Sequence, residues 1–191
     1  MSQKNVSELA MSSPWPTETL SSVVLPLRED DQAEWLEKNA AIQQDRREEI
    51  RQKTAALFAA ATDQRFEDGM ESEFSNELVA LVEEHGDTAV KAIAHLIISE
   101  IVSAEVAAEA LRWFGRMDHM PTYNARLWLL ERSLFCSSAQ VRDGAALGLA
   151  AMDDPHAITY LKQAIQKEKH AALREDLTQV LMQLGASEQC R

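Results

Sequence analysis

The chain is 191 residues long, with 46% hydrophobic and 26% charged residues and a net charge of −12. That balance excludes a disordered or collagen-like chain and leaves one globular domain of moderate size. The acid excess argues against direct nucleic-acid binding, because a negative surface repels phosphate backbones. The acids are not spread evenly. Residues 28–87 carry 17 acids and 7 bases, whereas residues 88–191 carry 12 and 11. The first block therefore suits a basic protein partner. The two cysteines, Cys136 and Cys190, have no ligand spacing, so a reducing compartment is expected. No signal peptide is read at the N-terminus, and no apolar run is long enough to span a bilayer. A soluble cytoplasmic protein is the expectation.

Residues 1–29 read as a disordered tail, with Pro14, Pro16 and Pro26 and no helical period. Trp15 and the cluster Val23–Leu27 are its candidate docking anchors. One domain is expected over 30–185, and residues 186–191 should fray. Helix signals begin at Asp30 and Asp31. Ala33–Gln44 is either one short helix or the start of a longer one running through DRREEIRQK. Ile50, Leu57, Phe58 and Ala61 recur at helical spacing, and Gly69 marks a loop.

From residue 72 the pattern is regular. Phe74, Leu78, Leu81, Val82 and His85 form one helical face. Gly86 suits the end of that helix and Asp87 the cap of the next. Val90, Ile93, Ala94, Ile97, Ile98 and Ile101 continue the spacing. Ser103 caps a helix striped by Val106, Ala110, Trp113, Phe114 and Met117. Pro121 opens the next, with Tyr123, Leu127, Leu130 and Leu134 in line. Val141, Ala145, Gly148, Leu149 and Met152 follow, then the Asp154–Pro155 helix start. Ile158, Leu161 and Ile165 precede a last helix with Leu173, Leu177, Val180, Leu181 and Leu184, which Gly185 should end.

Residues 103–119 and 138–154 are related at an offset of 35, and a fainter copy follows at an offset of 32. A period of 30-odd residues with one hairpin per unit predicts an all-α, right-handed solenoid of stacked antiparallel hairpins. Gly144, Ala145 and Gly148 place small residues at one-turn spacing, which predicts a close helix approach.

Val141-Arg142-Asp143, with Ala145, Ala146, Leu147 and Gly148 and then Asp153-Asp154-Pro155, resembles a HEAT repeat. The short hairpin is similar to the bacterial type found in phycobilisome-lyase proteins. The resemblance is good over 121–184, fair over 72–120 and weak before 72. It implies that Arg142 and Arg174 belong to a ladder tying turns of successive repeats. Ala107 and Arg112 depart from the pattern, so the ladder does not extend unchanged into the earlier copy.

No catalytic, cofactor or metal constellation is read from the sequence. The five histidines are not paired at metal-ligand spacing, and His85 reads as a satisfied helix-end residue. Cys136 reads as structural. Helical angle places Arg112, Asp143, Leu147, Glu175 and Gln179 opposite the apolar stripes. Arg112, Leu147 and Gln179 are equivalent in the three copies and would form a row on the concave side. Together with Arg116 they are the candidate partner-binding residues. Trp113 and Trp128 either edge that row or belong to the core, and the core reading is the plainer one. The expectation is a non-enzymatic interaction module, an adaptor or inhibitor of a basic protein, with an immunity or antitoxin role as one version. A structural subunit of a larger assembly is the alternative, and a HEAT-fold glycosylase or lyase a more distant one. Partner and oligomeric state are not legible.

Overall fold

The computed structural model describes residues 29–67 and 70–189, and among these the chain is all-α. The expected tail lies outside the described residues apart from Glu29, as does the loop glycine Gly69. The chain divides between Asn39 and Ala40. The first unit contributes, among described residues, only the opening turns of helix α1 (Glu29–Ala60). That helix is continuous for 32 residues, so the short-helix reading of Ala33–Gln44 gives way to the long one. Its exposed stretch gains support from the pairs Lys53–Glu49 (2.9 Å) and Arg51–Glu48 (3.2 Å). Burial begins only at Ile50 and continues through Thr54, Phe58 and Ala61. The Phe58 ring then meets Phe74 edge-on, with centroids 5.2 Å apart.

α2 (Glu73–His85) starts at a reciprocal cap: Ser72 Oγ accepts from the Ser75 amide, and Ser75 Oγ from the Ser72 amide. It buries Phe74, Leu78 and Val82. Gly86, at φ +56°, turns the chain directly into α3 (Asp87–Ile98). Gly86 itself, and not Asp87, holds the cap position of α3. α4 (Ala104–Arg116) begins at Ser103, whose hydroxyl accepts from the Val106 amide. A 3-10 turn at Met120–Thr122 leads into α5 (Tyr123–Ser133). α6 (Ala139–Met152) stops at Asp153, at φ +50°. Asp154 then caps a second 3-10 turn, Pro155–Ala157, ahead of α7 (Ile158–Lys167). α8 (Ala171–Gln189) does not end at Gly185 but passes through it.

α2 packs on α3 and α4, α3 on α5, α4 on α5 and α6, α6 on α5 and α8, and α7 on α8. The α4–α6 interface is the most extensive, and it joins the two copies of the duplicated stretch. It is backbone against backbone. A Cβ on Gly148 would lie 2.5 Å from the Leu111 carbonyl oxygen and 2.6 Å from Leu130 Cδ2. One on Gly144 would lie 2.6 Å from Ala108 Cα, and one on Gly115 would overlap the Gly148 carbonyl.

Polar side chains fasten the loops. Arg126 is fully buried on α5 and donates to the carbonyls of Phe114 and His119 and to Thr122 Oγ1. Burial pushes its guanidinium pKa down, while Tyr123 and Asp118 act the other way. Tyr123 donates to Asp154 Oδ2 at 2.6 Å, linking the start of α5 to the turn before α7. Glu100, in the loop after α3, accepts from the Ser137 amide at 3.0 Å. Arg142 donates to the carbonyls of Cys136 and Ser137 and, at 2.7 and 3.0 Å, to both oxygens of Glu168. Glu168 also accepts from the amides of Lys169 and His170 just before α8. Arg142 and Glu168 therefore tie the loop before α6 to the loop before α8. Arg174 is exposed, and its side chain makes no such bond among the described residues.

The Arg142 guanidinium lowers the pKa of Glu168 to about 2, with the two backbone amides assisting against the cost of burial. The folded-state value lies below the unfolded one, so the contribution is complete above the ordinary carboxylate range and is lost as the pH falls through it. Stability measured by urea unfolding should fall between about pH 5 and about pH 2. In Glu168→Gln that part of the decline should be missing, and the variant should be weaker at pH 7. The glycine contact makes an opposite-sign pair. Gly148→Ala should destabilise by about 1–3 kcal/mol through overpacking. Gly185→Ala, with nothing within 4 Å of the new Cβ, should stabilise by about 0.5–1 kcal/mol. Urea midpoints of the two variants check both signs.

Candidate interaction surface

The six residues expected to bind a partner lie on three helices that pack in succession, α4, α6 and α8. Leu147, Arg116, Glu175 and Gln179 are exposed, and Asp143 is half-buried. Leu147, at 45% exposure, stands clear of the core although its neighbours Ala146 and Gly148 are buried. Arg116 lies over the Trp113 ring, 5.6 Å from its centroid.

Arg112 departs from its expected role. Its side chain is 13% exposed and pairs with Glu109, itself 4% exposed, through Nε at 3.0 Å and Nη2 at 2.7 Å. Glu109 also accepts from Trp113 Nε1 at 2.6 Å. Arg112 therefore neutralises a buried carboxylate and is not a free cation on a binding row. Residues 109, 112 and 113 share one helical side, so i,i+3 and i,i+4 spacing was the available signal. Trp113 is half-buried and held by this group. The core reading fails for Trp128, which is 50% exposed. His85 is not the satisfied residue expected. Its side chain is buried, but neither ring nitrogen has a hydrogen-bond partner, and Glu84 Oε1 lies 3.7 Å away.

Two open grooves flank α3. Between α3 and α5 lies one of about 290 Å³, lined by Val90, Lys91, Ala94, Ala125 and Trp128. Small residues on both helices, Ala94 and Ala125, leave this space, and the indole of Trp128 forms part of its wall. Between α1 and α3 lies a second of about 290 Å³, lined by Arg47, Arg51, Thr88, Lys91, Ala92 and His95. Lys91 borders both. Of these residues the sequence singled out Trp128 alone for a surface role, as a candidate edge of the concave row; Arg47–Arg51 and Lys91–His95 each have i,i+4 spacing but were not read as a site. A larger cleft of about 410 Å³ surrounds Arg142 and Glu168. Arg142 and Glu168 are engaged with each other and with the loops, and Lys167 sits 4.9 Å from the Phe135 centroid. Burial, with Glu100 nearby, pushes the Cys136 thiol pKa up, away from a reactive thiolate. Among the described residues no three His, Cys, Asp or Glu side chains gather as metal ligands would. No described helix is long and apolar enough to cross a membrane.

Because Glu109 is buried and depends on Arg112, charge reversal at Arg112 should unfold locally rather than alter a surface. Arg112→Glu should cost about 3–5 kcal/mol by leaving a buried charge unpaired beside a second acid. The exposed Arg116→Glu should cost no more than about 1 kcal/mol. Thermal and urea unfolding of the two variants separates them.

No known protein family, curated protein or solved structure matches this chain.

Proposed function

We propose that this protein is a non-enzymatic interaction module, an adaptor or inhibitor that holds a protein partner on a HEAT-like α-solenoid. The solenoid reading is supported by the order of packing. Each of α2, α4 and α6 packs on the next even-numbered helix, and α3 packs on α5. The interaction reading is carried by one observation: Trp128, half exposed, walls an open groove whose other lining residues are Val90, Lys91, Ala94 and Ala125. A large aromatic beside small apolar residues is the arrangement that anchors a partner's apolar side chain, and such anchors dominate binding energy. Glu73, Glu77, Glu83 and Glu84 are exposed on α2, and they suit a partner whose surface is basic overall.

The test compares three proteins in the native host: wild type, Trp128→Glu and Leu147→Glu. All three should melt alike, since both positions are exposed. A partner cross-linked by wild type should be lost with Trp128→Glu and kept with Leu147→Glu. Loss with Leu147→Glu alone would move the site to α4, α6 and α8, and retention by both variants would sink the groove reading.

A further inference from the structure

The groove between α1 and α3 concentrates charge of the wrong sign for this chain. The protein carries −12, yet the six residues lining the groove include Arg47, Arg51, Lys91 and His95 and no acid. A plain solvated helix face alternates its charges, as Lys53 does with Glu49 on the same helix. Here like charges are stacked. Arg47 and Arg51 are one turn apart on α1, and Lys91 and His95 are one turn apart on α3. The Arg47–Arg51 pair repels at i,i+4 and so weakens the helix that carries it. Among the described residues Arg47 and Lys91 enter no ion pair, and Arg51 has only the exposed Glu48 at 3.2 Å. Among the described residues the Arg51–Glu48 pair is the one ion pair this cluster returns to the fold. An anion between the two helices would offset the repulsion, with each guanidinium able to take a carboxylate in a two-pronged grip.

Lys91 joins this groove to the apolar one walled by Trp128. The two form a composite surface, apolar on the α5 side of α3 and cationic on the α1 side. Resting on the interaction reading above, we infer that it binds an acidic protein segment. In that segment a large apolar side chain enters beside Trp128, and aspartate or glutamate carboxylates close by it meet Arg47, Arg51 and Lys91. A nucleic acid fits less well. A phosphate backbone needs a continuous basic track. Here the bases are interrupted in sequence by Glu48 and preceded by Asp87, both exposed.

The experiment pans a randomised dodecapeptide library displayed on phage against the full-length protein. It then measures the anisotropy of the best fluorescein-labelled peptide at two salt concentrations. Enriched peptides should carry Asp or Glu next to Leu, Phe or Trp. Their affinity should fall with salt and drop about tenfold or more in Arg51→Glu/Lys91→Glu. The neutral pair Arg51→Gln/Lys91→Gln should show a smaller loss, and it supplies the measurement if the charge-reversed protein melts low. Trp128→Ala should also weaken the peptide. Peptides without acidic excess, or indifferent to both Arg51/Lys91 variants, overturn the anionic assignment while leaving the Trp128 groove in place. Acidic peptides that bind Trp128→Ala normally overturn the groove reading itself, and failure to enrich any peptide overturns both. A duplex DNA probe that outbinds the peptide and is lost in Arg51→Glu/Lys91→Glu replaces the protein segment with nucleic acid and overturns the inference.

Discussion

The contact on which the rest of this fold depends is the one between α4 and α6, where there is no room for a side chain. Gly144 and Gly148 of α6 meet Ala108 and Leu111 of α4 through backbone atoms, and Gly115 of α4 meets Gly148. Glycine in a helix interior costs about 1 kcal/mol relative to alanine, so three of them at one interface require compensation. It comes from distance. Helices at backbone contact align Val106, Ala110, Leu111 and Phe114 with Val141, Ala145 and Leu149, all buried. The loops at their ends are then near enough to be fastened. α4 is accordingly buried on most of its circumference, down to the carboxylate of Glu109.

The fastening uses charges that would be expensive unpaired. Among the described residues Arg126 has no carboxylate in direct contact; it is held by the Thr122 hydroxyl and two carbonyls, one of them in the last turn of α4. That end of a helix has unsatisfied acceptors and a partial negative charge, so a buried cation there satisfies the backbone and is itself satisfied. Glu168 works in the other sense, accepting backbone amides at the start of α8 while bonded to Arg142. Glu109 is met by Arg112 and Trp113. Each group closes a loop or a helix face against its neighbour. Glu131 differs: burial, with Asp154 nearby, pushes its pKa up from the ordinary carboxylate value.

The sequence announced the helices well where an apolar stripe met a cap. Ser103, the Asp154–Pro155 pair and most of the stripes of α2 to α8 lie where periodicity put them, but Ile98 and Ile101, expected on the α3 stripe, are 37% and 59% exposed. It announced α1 poorly, because a helix with no buried residue described before Ile50 has no stripe to read. Gly144 and Gly148 were legible as a close approach, since small residues one turn apart have few other uses. Arg126 was not. A fully buried arginine is rare enough that residue type argues against it, and only the positions of the Phe114 and His119 carbonyls explain it. Trp128 failed for a related reason. Size and hydrophobicity favour the core, but Leu127, Leu129 and Leu130 already fill the buried side of α5.

A charge sum along the chain hides the basic groove, because a helix sorts charge by angle. Arg47 and Arg51 share one stripe of α1, while Glu48 and Glu49 lie about 100° and 200° around from Arg47. A count over residues 28–87 mixes these faces and returns an acidic total. A partner sees them separately. At physiological salt the Debye length is about 8 Å, so a side chain seated between α1 and α3 senses Arg47, Arg51 and Lys91 before it senses acids elsewhere on the surface. The net charge acts at a distance and the groove acts at contact. Under the proposed assignment, an acidic protein can repel acidic chains in general and still retain a segment whose apolar anchor holds its carboxylates beside Arg47, Arg51 and Lys91.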